Sequence, residues 1–149
     1  MRPIYHIIAS SVLAVLIYIF TRQVGVALLA FIVGVFVDLD HLIDFWALKP
    51  ANPFDVREFL DSEHYNQQSK HIFIFLHGWE WAGVLFALAY FYNWNIYLLV
   101  SAIALVLHLI IDTKNLSNGQ KHSPFIYLFF FRLLKGFKKQ NLIMWSPQR

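Results

Sequence analysis

The chain has 149 residues, enough for one domain, and a formal net charge of +3. Hydrophobic residues make up 58% and charged residues 14%, too few charges to cover a small water-soluble fold. The same figures exclude disorder, and the absence of cysteine excludes a disulfide-stapled module. An integral membrane protein remains, with a mean hydropathy of +0.52.

Four apolar stretches follow one another. The first runs from Ile4 to Phe20, between Arg2 and Arg22. It is long for a signal sequence, and no A-x-A-like cleavage site follows it. The second, Val24 to Trp46, is interrupted by Asp38, Asp40, His41 and Asp44. The third, Ile72 to Tyr92, carries His77 and Glu80 in its first turns. The fourth, Trp94 to Ile111, ends in His108 and Asp112. Each is near the ~20 residues that cross a hydrocarbon core as a helix, where lipid offers an open strand edge no partner. Between the second and third, Pro50 and Pro53 break the chain, and Phe54–Tyr65 is predicted as a short interfacial helix. Past the polar run Asn115–Ser123 and Pro124, the aromatic and basic run Phe125–Phe137 is predicted to lie in the headgroup layer. A re-entrant segment or a fifth packed helix are the alternatives for it. The predicted fold class is thus all-α, an integral membrane helical bundle of about four transmembrane helices plus a C-terminal interfacial amphipathic helix. Residues 1–113 would form the four-helix transmembrane domain and 114–149 the basic, aromatic interfacial tail.

Four spans place eleven of the twelve Lys and Arg residues on one side and leave only Arg22 for the other. The positive-inside rule then puts both termini in the cytoplasm. Those basic loops account for the pI near 9.2, so no nucleic-acid partner is expected.

Ionisable residues within spans are costly and need a partner, a wet cavity or a metal. Under this topology His6, Asp38, Asp40, His41, Asp44, His77, Glu80, His108 and Asp112 all fall at the cytoplasmic ends of their spans. Four helices therefore bring acids and histidines to one membrane depth. The local spacings agree, because residues three and four apart share a helix face. Asp38, His41 and Asp44 step by three, and His108 and Asp112 by four. Mixed imidazole and carboxylate donors suit a divalent metal, zinc foremost, with manganese or iron as alternatives and one or two ions. The expected ligands are His6, Asp38, Asp40, His41, His77, His108 and Asp112, with Glu80 or Asp44 as general base or ligand-orienting carboxylate. His64, His71 and His122 sit in polar loop sequence and are expected at the surface.

The early His6, the Val37-Asp38-Leu39-Asp40-His41 run, His71 with Leu76-His77-Gly78, and His108-Leu109-Ile110-Ile111-Asp112 form a recognisable set. From His6 to about Asp112 the chain resembles the YdjM-like family of LexA-regulated, membrane-bound metal-dependent hydrolases. That family carries an early helix histidine, then P-D-[IL]-D-H, H-R-x-x-T-H-S and [SG]-x-x-x-H-x-x-x-D segments. Here Val37 stands in place of the proline, and His71 and His77 are six apart rather than five, without the Arg and Thr. The resemblance implies a membrane-embedded metal site built on the matching histidines and aspartates.

The functional expectation is a metal-dependent hydrolase at the cytoplasmic membrane face, acting on a phosphoester or ester of a lipid-like substrate. Membrane lipid and an amphiphilic substrate are its expected partners. A metal or proton transporter and a metal-clipped scaffold without activity are the alternatives. Transport fits less well, because the outer half of every span is nearly free of ionisable groups. No Gly-rich phosphate loop, G-x-S-x-G or H-E-x-x-H segment occurs.

Overall fold

A computed structural model of the chain describes residues 3–41, 45–46, 71–115 and 125–142. Among these the architecture is all-helical, with one isolated β-bridge between His71 and Lys138. Helix α1 spans Pro3–Thr21, α2 Val24–Phe36, α3 Trp79–Phe91 and α4 Ile96–Asn115. Two short helices follow, α5 at Phe129–Leu134 and α6 at Lys139–Leu142. By length and composition, α1 and α4 are able to cross a membrane, while Val24–Leu39 and Trp79–Phe91 are shorter apolar helices. Expected features at Arg2, Asp44, Phe54–Tyr65, His64 and His122 lie outside the described residues.

Tight connections make the helices neighbours. Arg22 turns α1 into α2 with a φ of 57°, and Asn93 and Trp94 turn α3 into α4 with φ values of 54° and 56°. The Asn95 side-chain oxygen then accepts the backbone N–H groups of Tyr97 and Leu98, capping α4. Helix α1 packs on α2, and both α2 and α3 pack on α4, which also touches α1. The end near the α1–α2 turn is purely aliphatic inside, where Val26, Ala30 and Val100 meet Leu13, Ile17 and Ile96.

The sidedness of α1 is the reverse of a soluble helix. Its buried residues are His6 and Ser10, both polar, while Ile4, Ile8, Val12, Val15 and Ile19 are exposed. Such a helix has the composition and sidedness of one able to cross a membrane.

Helix α1 approaches α2 most closely at Gly34. A Cβ there would overlap the Ser10 Oγ and lie 3.0 Å from the Ser10 Cβ. The same residue's carbonyl oxygen accepts from the His108 ring at 2.8 Å, so three helices meet at this point. Gly34→Ala is expected to lower stability by about 1–3 kcal/mol through overpacking. A Ser10→Gly partner substitution should recover most of that loss in a thermal-melt double-mutant cycle. Additive losses would show that the contact does not carry the effect.

Two predicted elements are corrected. The third stretch is helical only from Trp79, and residues 71–78 run as an irregular segment with a bend at Phe75 and Leu76. Its backbone groups find partners far away in sequence: Ile72 N–H on the Phe137 carbonyl, Leu76 N–H on Asp40, and the His77 carbonyl on Arg132. Irregular backbone is stable in such a place only when the protein itself supplies those partners. The tail is the second correction. Instead of one amphipathic helix over Phe125–Phe137, a turn precedes α5, and Gly136 and Phe137, with φ of 64° and 56°, end it. Ile126, Tyr127 and Leu142 are buried with Val37, Leu105 and Leu109 in one core cluster. The tail is therefore built into the bundle's core instead of standing apart from residues 1–113. Phe130, Leu133 and Leu134 still face outward.

Candidate metal centre

Seven predicted residues converge at one end of the bundle. α1 contributes His6, and the 3₁₀ turn Val37–Leu39 that ends α2 contributes Asp38. Asp40 and His41 follow that turn, His77 comes from the irregular segment, and His108 and Asp112 come from α4. Helical spacing explains the α4 pair, since Nε2 of His108 lies 3.3 Å from Oδ2 of Asp112 four residues on. His6, Asp40, His77, His108 and Asp112 are buried. Asp38 and His41 form the rim, with side chains 24% and 21% exposed.

The tautomers of two histidines follow from their partners. Nδ1 of His108 faces the Gly34 carbonyl at 2.8 Å, and a carbonyl only accepts, so this nitrogen carries the proton. Nδ1 of His77 sits 3.0 and 3.1 Å from the two Asp40 oxygens and donates to that carboxylate. In the neutral rings both Nε2 lone pairs point inward, and the two atoms face each other at 3.1 Å. Asp38 Oδ1 lies 3.2 Å from the first and 3.4 Å from the second. Asp112 Oδ2 lies 3.3 Å from each. Four such donor atoms surround one point, and their mutual repulsion is offset either by protons on the imidazoles or by a cation between them.

These separations pass a simple fit test. Donors held 2.0–2.2 Å from a tetrahedral ion are about 3.3–3.6 Å apart. Five of the six pairs among Asp38, His77, His108 and Asp112 measure 3.1–3.4 Å, and all the donors lie within 4.8 Å of one another. This buried cluster could hold a metal ion. Unspent polarity points the same way. Both Asp112 oxygens and both His6 ring nitrogens are buried without a well-aligned hydrogen bond, although His6 Nε2 is 3.1 Å from Asp112 Oδ1. The His6 ring also stacks on His108 at 4.2 Å between centroids.

Asp40 stands behind this set. Its Oδ2 accepts from Leu76 N–H at 2.7 Å as well as from His77, which is the carboxylate–histidine arrangement that orients a ligand ring. A second donor grouping, Asp40, His41 and His77, shares His77 with the first.

Glu80, expected as general base or ligand-orienting carboxylate, is not among the clustered donors. Its carboxylate accepts the backbone N–H groups of Phe129 and Phe130 at 3.0 and 3.1 Å, capping α5. His77 precedes α3, so His77 and Glu80 do not form a helical pair. His71 is exposed, with its ring 5.7 Å from that of Phe73, and is not among the clustered donors.

Two site neighbours were not anticipated, Arg132 and Tyr127. Arg132 is fully buried and donates through Nη2 to the His77 carbonyl at 3.0 Å. Tyr127 is buried with its ring 6.3 Å from that of His77. Burial, reinforced by the Asp112 and Asp38 carboxylates, pushes its phenol far above the usual range, so the hydroxyl keeps its proton. The available signals were slight: one tyrosine in a Phe-rich run, and one arginine inside an apolar six-residue helix.

Compared with protein-family models, curated proteins and solved structures, the chain matches none. The chemistry of the cluster is therefore the ground for its function.

Proposed function

We propose that the protein is a metal-dependent hydrolase embedded in the bacterial inner membrane, acting on an ester or phosphoester of a lipid-like substrate at the cytoplasmic face. In this reading α2 and α3 cross together with α1 and α4, both termini are cytoplasmic, and the basic tail residues Lys135 and Lys138 face anionic headgroups. The observation that carries the reading is the convergence of four inward acceptor atoms, from Asp38, His77, His108 and Asp112. The D-x-D-H and H-x-x-x-D segments, through their resemblance to LexA-regulated membrane hydrolases, support it too.

The mixed nitrogen and oxygen donors favour zinc over magnesium or calcium. A bound divalent ion supplies Lewis-acid chemistry, polarising an ester or phosphoryl oxygen and acidifying water. Asp40 and Gly34 hold the two imidazoles with Nε2 inward. The partly open rim at Asp38 and His41 supports a site that admits substrate, where a purely structural metal would be closed off. Transport is disfavoured by the aliphatic interior of the opposite end.

The test uses full-length protein purified in detergent. Elemental analysis should find stoichiometric zinc, manganese or iron. Hydrolysis of phospholipid and chromogenic phosphodiesters should stop with chelator and return with metal. Folded protein without metal would sink the reading. Metal without turnover on any ester would favour a structural clip, and metal flux into proteoliposomes a transporter.

A further inference from the structure

Tyr127 is 2% exposed, and its hydroxyl has no hydrogen-bond partner among the described residues. Leaving such a group unpaired is unfavourable, and phenylalanine would fill the same volume without that cost. Phe occupies four of the other positions between 125 and 131. The one tyrosine of this run has its ring centroid 6.3 Å from that of His77, and Asp112, Asp38 and Arg132 are charged groups near it. Its backbone is anchored, because the Tyr127 carbonyl accepts Trp79 N–H at 3.0 Å, next to His77. A phenol so placed offers a donor to something that enters the site.

We infer that Tyr127 is a substrate-binding residue whose hydroxyl donates a hydrogen bond to an anionic oxygen, of the phosphate class, held at the Asp38–His77–His108–Asp112 centre. The inference rests on the reading of that centre as a metal site. The cation attracts the anion, and Tyr127 supplies an uncharged, pre-positioned donor beside it. Such a donor acts as an oxyanion hole does, fixed in a water-poor site before the ligand arrives.

The test is Tyr127→Phe in the full-length, metal-loaded protein in detergent, with inorganic phosphate as probe. Metal content should be unchanged. The affinity for phosphate, by titration calorimetry, should fall by at least about tenfold, the scale of one lost hydrogen bond. Without phosphate, the variant should melt at the wild-type temperature or above it, because an unpaired polar group has been removed. Equal phosphate affinity in the two proteins, or no phosphate binding by the wild type, would overturn the inference and leave the metal centre standing. A variant that unfolds or loses its metal would also overturn it, by showing that the hydroxyl is structural. A wild-type protein without metal would instead remove the centre itself, and the inference with it.

Discussion

Asp112→Asn should leave the purified protein without stoichiometric metal. Asp112 is fully buried and stands 3.1–3.3 Å from three imidazole nitrogens, those of His6, His77 and His108. The amide keeps the shape but removes the charge that offsets a divalent cation among buried groups. Asp40→Asn is the contrasting case. Asp40 touches the centre through His77 Nδ1, so its loss should weaken metal affinity by about 10–100-fold without abolishing it. Melting temperature gives an independent readout. At metal concentrations about a thousandfold above Kd, binding adds ~4 kcal/mol to the wild-type protein, and this increment should vanish in Asp112→Asn. Wild-type melting that is indifferent to chelator, or full metal content in the variant, would refute the assignment of Asp112.

The second large effect is expected at Arg132. It is the largest fully buried side chain among the described residues, and it ties α5 to the irregular segment through the His77 carbonyl. Arg132→Ala leaves a cavity and an unpaired buried carbonyl beside the metal centre. The expected loss is about 3 kcal/mol or more. Arg132→Lys keeps a charge but not the planar fork, so partial recovery is expected. Thermal melts in detergent with chelator present separate this loss from any change in metal binding. A wild-type melt for Arg132→Ala would show that the irregular segment holds its shape without this arginine.

Much of the candidate site was legible because helical periodicity and position along an apolar run are local properties. His6, Asp38, His108 and Asp112 each sit near the end of an apolar run, and antiparallel helices of similar length bring such ends together. The α4 pair is set by one helical turn and needs no tertiary information. The roles within the set were not legible in the same way. Asp40 and Asp38 are two residues apart, yet one faces the centre and the other backs His77. That division depends on the 3₁₀ turn at Val37–Leu39, which rotates the successive side chains away from α-helical positions.

Composition set the expectation of a membrane helical bundle, and the spaced histidines and aspartates that of a metal-binding site. The structure bears out the all-helical class, with α1 and α4 apolar enough to cross a membrane. Only the tertiary structure decided what the third apolar stretch and the tail do. Residues 71–78 are apolar enough for a helix, but their backbone bonds go to Asp40, Arg132 and Phe137, which lie 36 to 65 positions away in the chain. Hydrogen bonds closed over such distances leave no local pattern, because each partner is an ordinary residue until the fold brings the two together. For the same reason Glu80 reads as an acid near a metal and proves to cap α5, and Tyr127 reads as one more aromatic of an interfacial run and proves to lie beside His77.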